Sequence, residues 1–115
     1  MRALTINAET HVIKVHAVDT SGVGPGMLAF MQKAVGGYIE RATELKNGDS
    51  IFVNEEGLLE NPRFFFEVEG GHQPFAGNGV VVGGEDEDGE TTNAKSEVEE
   101  LKRLITFKTN EELAT

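Results

Sequence analysis

Tyr38-Ile39-Glu40-Arg41-Ala42-Thr43-Glu44-Leu45-Lys46-Asn47-Gly48-Asp49-Ser50-Ile51-Phe52-Val53-Asn54 is the stretch on which the fold class turns. Two runs, residues 38 to 45 and 50 to 54, flank Lys46-Asn47-Gly48-Asp49, and Asn-Gly is a strong short-range signal for a tight hairpin because such turns need positive φ. Two antiparallel strands are therefore expected here. Towards the N-terminus, Leu4-Thr5-Ile6-Asn7 and Val12-Ile13-Lys14-Val15-His16-Ala17-Val18 enclose Ala8-Glu9-Thr10 and read as a second hairpin. Between the hairpins, Ser21-Gly22-Val23-Gly24-Pro25-Gly26 leads into a helix with Pro25 in its first turn. Met27, Leu28, Met31, Ala34 and Val35 recur at helical spacing, and Gly36-Gly37 supplies the stop.

Towards the C-terminus, Glu55-Glu56-Gly57 reads as a turn, and Asn61-Pro62-Arg63-Phe64-Phe65-Phe66 as a short helical turn leading into extended chain. Residues 69 to 74 are loop-like, and Val80-Val81-Val82 is an apolar strand. Ser96 to Phe107 reads as a closing helix. Ser96 would be its N-cap, Glu99 the capping-box partner, and Val98, Leu101, Leu104 and Ile105 one apolar stripe. The expectation is an α+β fold: a small antiparallel sheet built from hairpins, with a short central helix and a C-terminal helix. One domain spans 1–107 with an acidic loop at about 84–95, and 108–115 is a frayed tail.

The length, 115 residues, suits one domain, and 38% apolar residues give a modest core that oligomerisation would help to cover. Homo-oligomers are expected. Ten basic against twenty acidic residues leave a formal charge of -10, which disfavours a surface that tracks long nucleic acids. That charge is uneven. Residues 1 to 84 carry a net -4, whereas residues 85 to 100 alone hold eight acids against one Lys. Glu85-Asp86-Glu87-Asp88-Gly89-Glu90 is a block of like charges that must stay solvated. Asp86, Asp88 and Gly89 mimic part of a calcium loop, but its first position would be Gly84 and its twelfth Lys95, where carboxylates are required. No apolar run is long enough to span a bilayer, and the opening Met1-Arg2-Ala3-Leu4-Thr5-Ile6-Asn7 is too short and polar for a signal peptide, so the expected address is the cytoplasm.

Few residues offer catalysis. With no Cys and no elbow motif around Ser21, Ser50 or Ser96, a covalent nucleophile is unsupported. His11 and His16 are five apart on one expected strand and so face opposite ways, while His72 lies in a Gly-rich loop, so no metal site is expected. Glu55-Glu56 is an exposed turn, and the glycines before Met27 lack the Lys-Ser/Thr ending of a phosphate loop. One group does suit a ligand. Phe75-Ala76-Gly77-Asn78-Gly79 joins an aromatic face for stacking, an amide for a base edge, and two permissive backbone positions. Arg41, Arg63 and Arg103 could meet a phosphate if they converge. Core packing for Phe75 and surface solvation for the arginines are the plainer alternatives.

Val35-Gly36-Gly37-Tyr38-Ile39-Glu40, Phe52-Val53-Asn54-Glu55-Glu56-Gly57, Asn61-Pro62 and Phe75 to Gly83 together resemble a small family of unknown function found mainly in phage and plasmid genomes, over roughly residues 3 to 84. The resemblance implies a compact α+β domain without established catalytic residues. More distantly, the hairpin-rich body with its closing helix is similar to phage anti-defence proteins that sequester cyclic ADP-ribose-type signals of the Thoeris system. That likeness implies a non-enzymatic sponge for a small phosphorylated nucleotide. In it Phe75 and Asn78 would meet the base side and Arg103 the phosphates, with Arg41 assisting. The alternative is an acidic interaction module that imitates nucleic acid and inhibits a host protein. Neither reading requires a cofactor, a metal or a membrane.

Overall fold

The computed structural model describes residues 1–22, 26–71 and 73–114. Both expected hairpins form. Strands β1 (Arg2–Asn7) and β2 (Val12–Ala17) pair through a turn that Asn7 builds with its own side chain, Oδ1 accepting the N–H groups of Glu9 and Thr10, each at 3.0 Å. Strands β3 (Ile39–Glu44) and β4 (Ser50–Asn54) pair across Asn47-Gly48, where Gly48 takes φ 94°. Helix α1 (Gly26–Val35) lies between the hairpins and ends at Gly36, whose φ of 83° lets its N–H return to the Gln32 carbonyl. Of the glycine-rich segment before α1, residues 23 to 25 lie outside the described residues.

The expected apolar strand becomes the centre of the molecule. β7 (Gly79–Val82) inserts between β1 and β4, giving an antiparallel sheet in the order β2-β1-β7-β4-β3. Val80 and Val82 face α1, in a cluster with Ala3, Met31 and Val35, while Val81 faces the other way among Leu4, Ile6, Ile51 and Phe66. A strand covered on both faces needs no polar alternation, which is why it reads as an unbroken apolar run. The second cover is a smaller antiparallel sheet of β5 (Phe64–Val68), β6 (Phe75–Ala76) and β8 (Ile105–Thr109), with helix α2 (Val98–Leu104) beside it. Gly79 admits that cover: a Cβ there would lie 2.8 Å from Cζ of Phe66. The α+β class is as expected, with two sheets rather than one.

Four local expectations differ. The helical turn falls at Gly57–Leu59, a 3-10 turn, and Phe64 to Phe66 are strand from the outset, with Phe66 fully buried against β7. The closing helix stops at Leu104, because Ile105 to Thr109 pair with β5, Ile105 opposite Val68. The stretch from Lys108 is accordingly strand and then a short helix α3 (Asn110–Leu113), capped by Thr109 Oγ1 accepting from the N–H of Glu112. Ser96 is not the N-cap. Glu97 is, in a box with Glu100, and Ser96 is buried with its N–H and hydroxyl both donating to Asp49.

Candidate functional site

The segment chosen from sequence runs from β6 into β7 and turns at Gly77, which takes φ 76° and donates its N–H to the Phe64 carbonyl at 2.9 Å. Asn78 then ties this connection to the β1–β2 turn, its Oδ1 accepting the Ala8 N–H at 3.0 Å. Two cavities open beside it. The larger, of about 300 Å³, is lined by Asn7, Glu9, Arg63, Gly77 and Asn78 among others. The smaller, of about 150 Å³, is lined by Arg41, Glu55, Leu58, Gln73 and Phe75 among others. Asn54, Gly57 and Ala76 belong to both, so the two cavities share a wall. Gly57 and Ala76 pack closely within that wall: a Cβ on Gly57 would stand 3.3 Å from the Ala76 carbonyl oxygen.

The four site residues expected from the sequence therefore divide. Arg41 and Phe75 line one cavity, Asn78 lines its neighbour, and Arg103 lines a third of about 890 Å³, with Lys46, Asn47, Glu69 and Glu100. Arg103 is carried away because Leu101, fully buried, takes the core-facing position on α2 and leaves Arg103 exposed. Arg41 is exposed on β3, with its guanidinium carbon 5.8 Å from the Phe52 ring centroid. Phe75 serves core and cavity together: it is half-buried, its ring centroid lies 5.5 Å from that of Phe66, and it also lines the cavity. Asn7 and Arg63 complete the larger cavity. Arg63 is one of the three arginines the sequence offers for a phosphate, whereas Asn7 carries no such signal, since only the pairing of β1 with β7 brings residue 7 beside residue 78.

Charge on the shared site is mixed, Arg41 and Arg63 being outnumbered by Glu9, Glu40, Glu55 and Glu60. Asn54 bridges part of this ring, donating from Nδ2 to Glu60 at 3.4 Å while its Oδ1 accepts from the Glu56 N–H at 2.8 Å. The histidines lie elsewhere. His11 sits in the β1–β2 turn at φ 62°, not on a strand, and stacks on Phe107 with ring centroids 4.5 Å apart and planes 3° from parallel. His16 Nε2 lies 2.8 Å from Thr5 Oγ1, and partial burial, then the charge of Lys14, holds its imidazole below the ordinary pKa. His72 is outside the described residues. Among the described residues no three His, Cys, Asp or Glu side chains are grouped to hold a metal ion, and no helix is long and apolar enough to cross a membrane.

The acidic block 85 to 90 is exposed throughout and is organised by one of its own members, Asp86, whose Oδ1 accepts the N–H groups of Asp88 at 2.9 Å and Glu90 at 3.0 Å. No curated protein and no solved structure matches the chain. A family of unassigned function is what the quoted blocks implied in coarse terms, and the match extends well past residue 84. Residues 1–106 fit the family of a domain of unknown function (DUF3846), and the chain belongs to that family.

Proposed function

We propose that this chain is a non-enzymatic, phage-type accessory protein that sequesters a small phosphorylated nucleotide, and that the two cavities sharing Asn54, Gly57 and Ala76 form its site. The observation that carries this reading is the alignment of Arg41, Phe75, Asn78 and Arg63 along those adjoining cavities. In one cavity Phe75 offers a half-buried face for stacking and Arg41 a partner for phosphate oxygens, and in the other Asn78 offers an amide for a base edge and Arg63 a second phosphate partner. Arg63 takes the phosphate role first expected of Arg103. Four carboxylates around the site select ligands of low charge, such as cyclic phosphodiesters and cyclic ADP-ribose isomers, over triphosphates. Sequestration of such a signal in a host cytoplasm would be an anti-defence activity, with the protein acting as a homo-oligomer.

Titration calorimetry with cyclic ADP-ribose isomers and cyclic dinucleotides tests this. Heat of binding to at least one ligand is expected, with affinity lost in Arg41→Ala and Arg63→Ala and retained in Arg103→Ala. Silence across the panel, with no thermal shift, rejects it. A second reading is favoured by the exposure of residues 85 to 90 on a backbone ordered by Asp86: an acidic module that imitates nucleic acid and blocks a host protein. A pull-down from host lysate checks it, since capture that survives neutralising Glu85 to Glu90 excludes mimicry.

A further inference from the structure

We propose that the base held in the 300 Å³ cavity is a 6-oxopurine, guanine or hypoxanthine, and that adenine is disfavoured there by two amides whose nitrogens are turned away from the backbone. The proposal rests on the binding site assigned above and names its ligand more narrowly. Asn7 Oδ1 accepts two backbone N–H groups, those of Glu9 and Thr10, and Asn78 Oδ1 accepts that of Ala8. A backbone N–H can only donate, so in each amide the oxygen must face the backbone and the nitrogen must point away from it. Neither Nδ2 group has a protein partner among the described residues, and no buried side-chain nitrogen or oxygen there lacks one, so both Nδ2 groups are open to solvent.

The two amides are neighbours by topology. Ile6 on β1 faces Gly79 on β7, so Asn7 and Asn78 occupy the next positions along the two strands, and both line the same cavity. One wall thus presents adjacent N–H donors. Glu9 and Glu60 add carboxylate acceptors to the same cavity. A 6-oxopurine matches this pattern, with O6 and N7 accepting along one edge and N1–H donating beside them. Adenine puts its N6 amine where O6 would be, so donor meets donor and both are left unpaired.

Calorimetry with cyclic diguanylate against cyclic diadenylate, and with IMP against AMP, reads the discrimination. The 6-oxo member of each pair is expected to bind at least about tenfold more tightly. Asn78→Asp and Asn7→Asp keep the oxygen that accepts from the backbone while removing the donor. Both variants should melt near the wild-type temperature yet lose the preference. The added charge weakens phosphate binding in both members of a pair, while the new carboxylate oxygen accepts from the adenine amine and repels O6, so the ratio of affinities, lost or reversed, is the readout. Equal or tighter binding of the adenine member, or a ratio unchanged in Asn78→Asp, overturns the proposal and leaves the site standing if Arg41→Ala and Arg63→Ala still abolish binding. No binding by any nucleotide removes the site and the proposal together.

Discussion

Asp86 and Asp49 both hold the connection between β7 and α2 by accepting backbone N–H groups, one at its exposed tip and the other at its buried root. Asp86 lies among like charges in water and bonds within its own turn. Asp49, fully buried beside the Asn47-Gly48 turn, accepts from the N–H of Lys95 at 2.9 Å, the N–H of Ser96 at 2.8 Å and the hydroxyl of Ser96 at 2.7 Å. Asn47 adds a bond from its Nδ2 to Ser96 Oγ at 2.9 Å. The donors are alike and the setting is not. At the tip, water replaces any bond that is lost, whereas at the root nothing does, so the same carboxylate chemistry has a local effect in one place and a global one in the other.

Removing Asp49 should have the largest effect. Asp49→Ala strands two buried donors of Ser96 and the part-buried N–H of Lys95, and is expected to cost about 3 kcal/mol by urea denaturation. A loss comparable to a surface substitution would break the comparison. Next is the other strand of the root, where Gly83 donates its N–H to the Thr92 carbonyl and a Cβ would collide with the carbonyl oxygens of Thr92 and Asn93. Gly83→Ala should cost about 2–3 kcal/mol, since backbone rather than a flexible side chain must move. Ser96→Ala leaves Asp49 two backbone donors and removes one hydroxyl, so about 1–2 kcal/mol is expected. Asp86→Ala should change the midpoint least, by under about 0.5 kcal/mol, while increasing amide exchange at Asp88 and Glu90. Equal losses at Asp49 and Asp86 would show that burial is not what separates them.

Ser96 also shows where reading the sequence falls short. Ser-x-x-Glu fits a capping box at Ser96 to Glu99, but Glu97 and Glu100 make the same box one residue later. Asp49, 47 positions away, decides between them by taking both Ser96 donors. The end of the helix follows the same pattern. Leu101, Leu104 and Ile105 fit a helical stripe, yet Ile105-Thr106-Phe107-Lys108-Thr109 also suits a strand, and β5 supplies the partner that selects it. In the candidate site, Phe75 and Asn78 are legible from residue type, Arg103 enters only through the distant resemblance, and Asn7 becomes legible only once β7 lies beside β1.

By itself the sequence determined the two hairpins, the helix between them, the buried apolar strand and the solvated acidic tip, because turn chemistry, apolar spacing and like-charge repulsion act within a few residues. Tertiary structure alone decided that β7 would sit between β1 and β4, that residues 105 to 109 would be strand, that Asp49 would be the buried anchor, and which arginine would share a cavity with Asn78. Each of those depends on contacts between positions far apart in the chain, and local preferences leave such pairings nearly degenerate until the core closes and desolvation separates them.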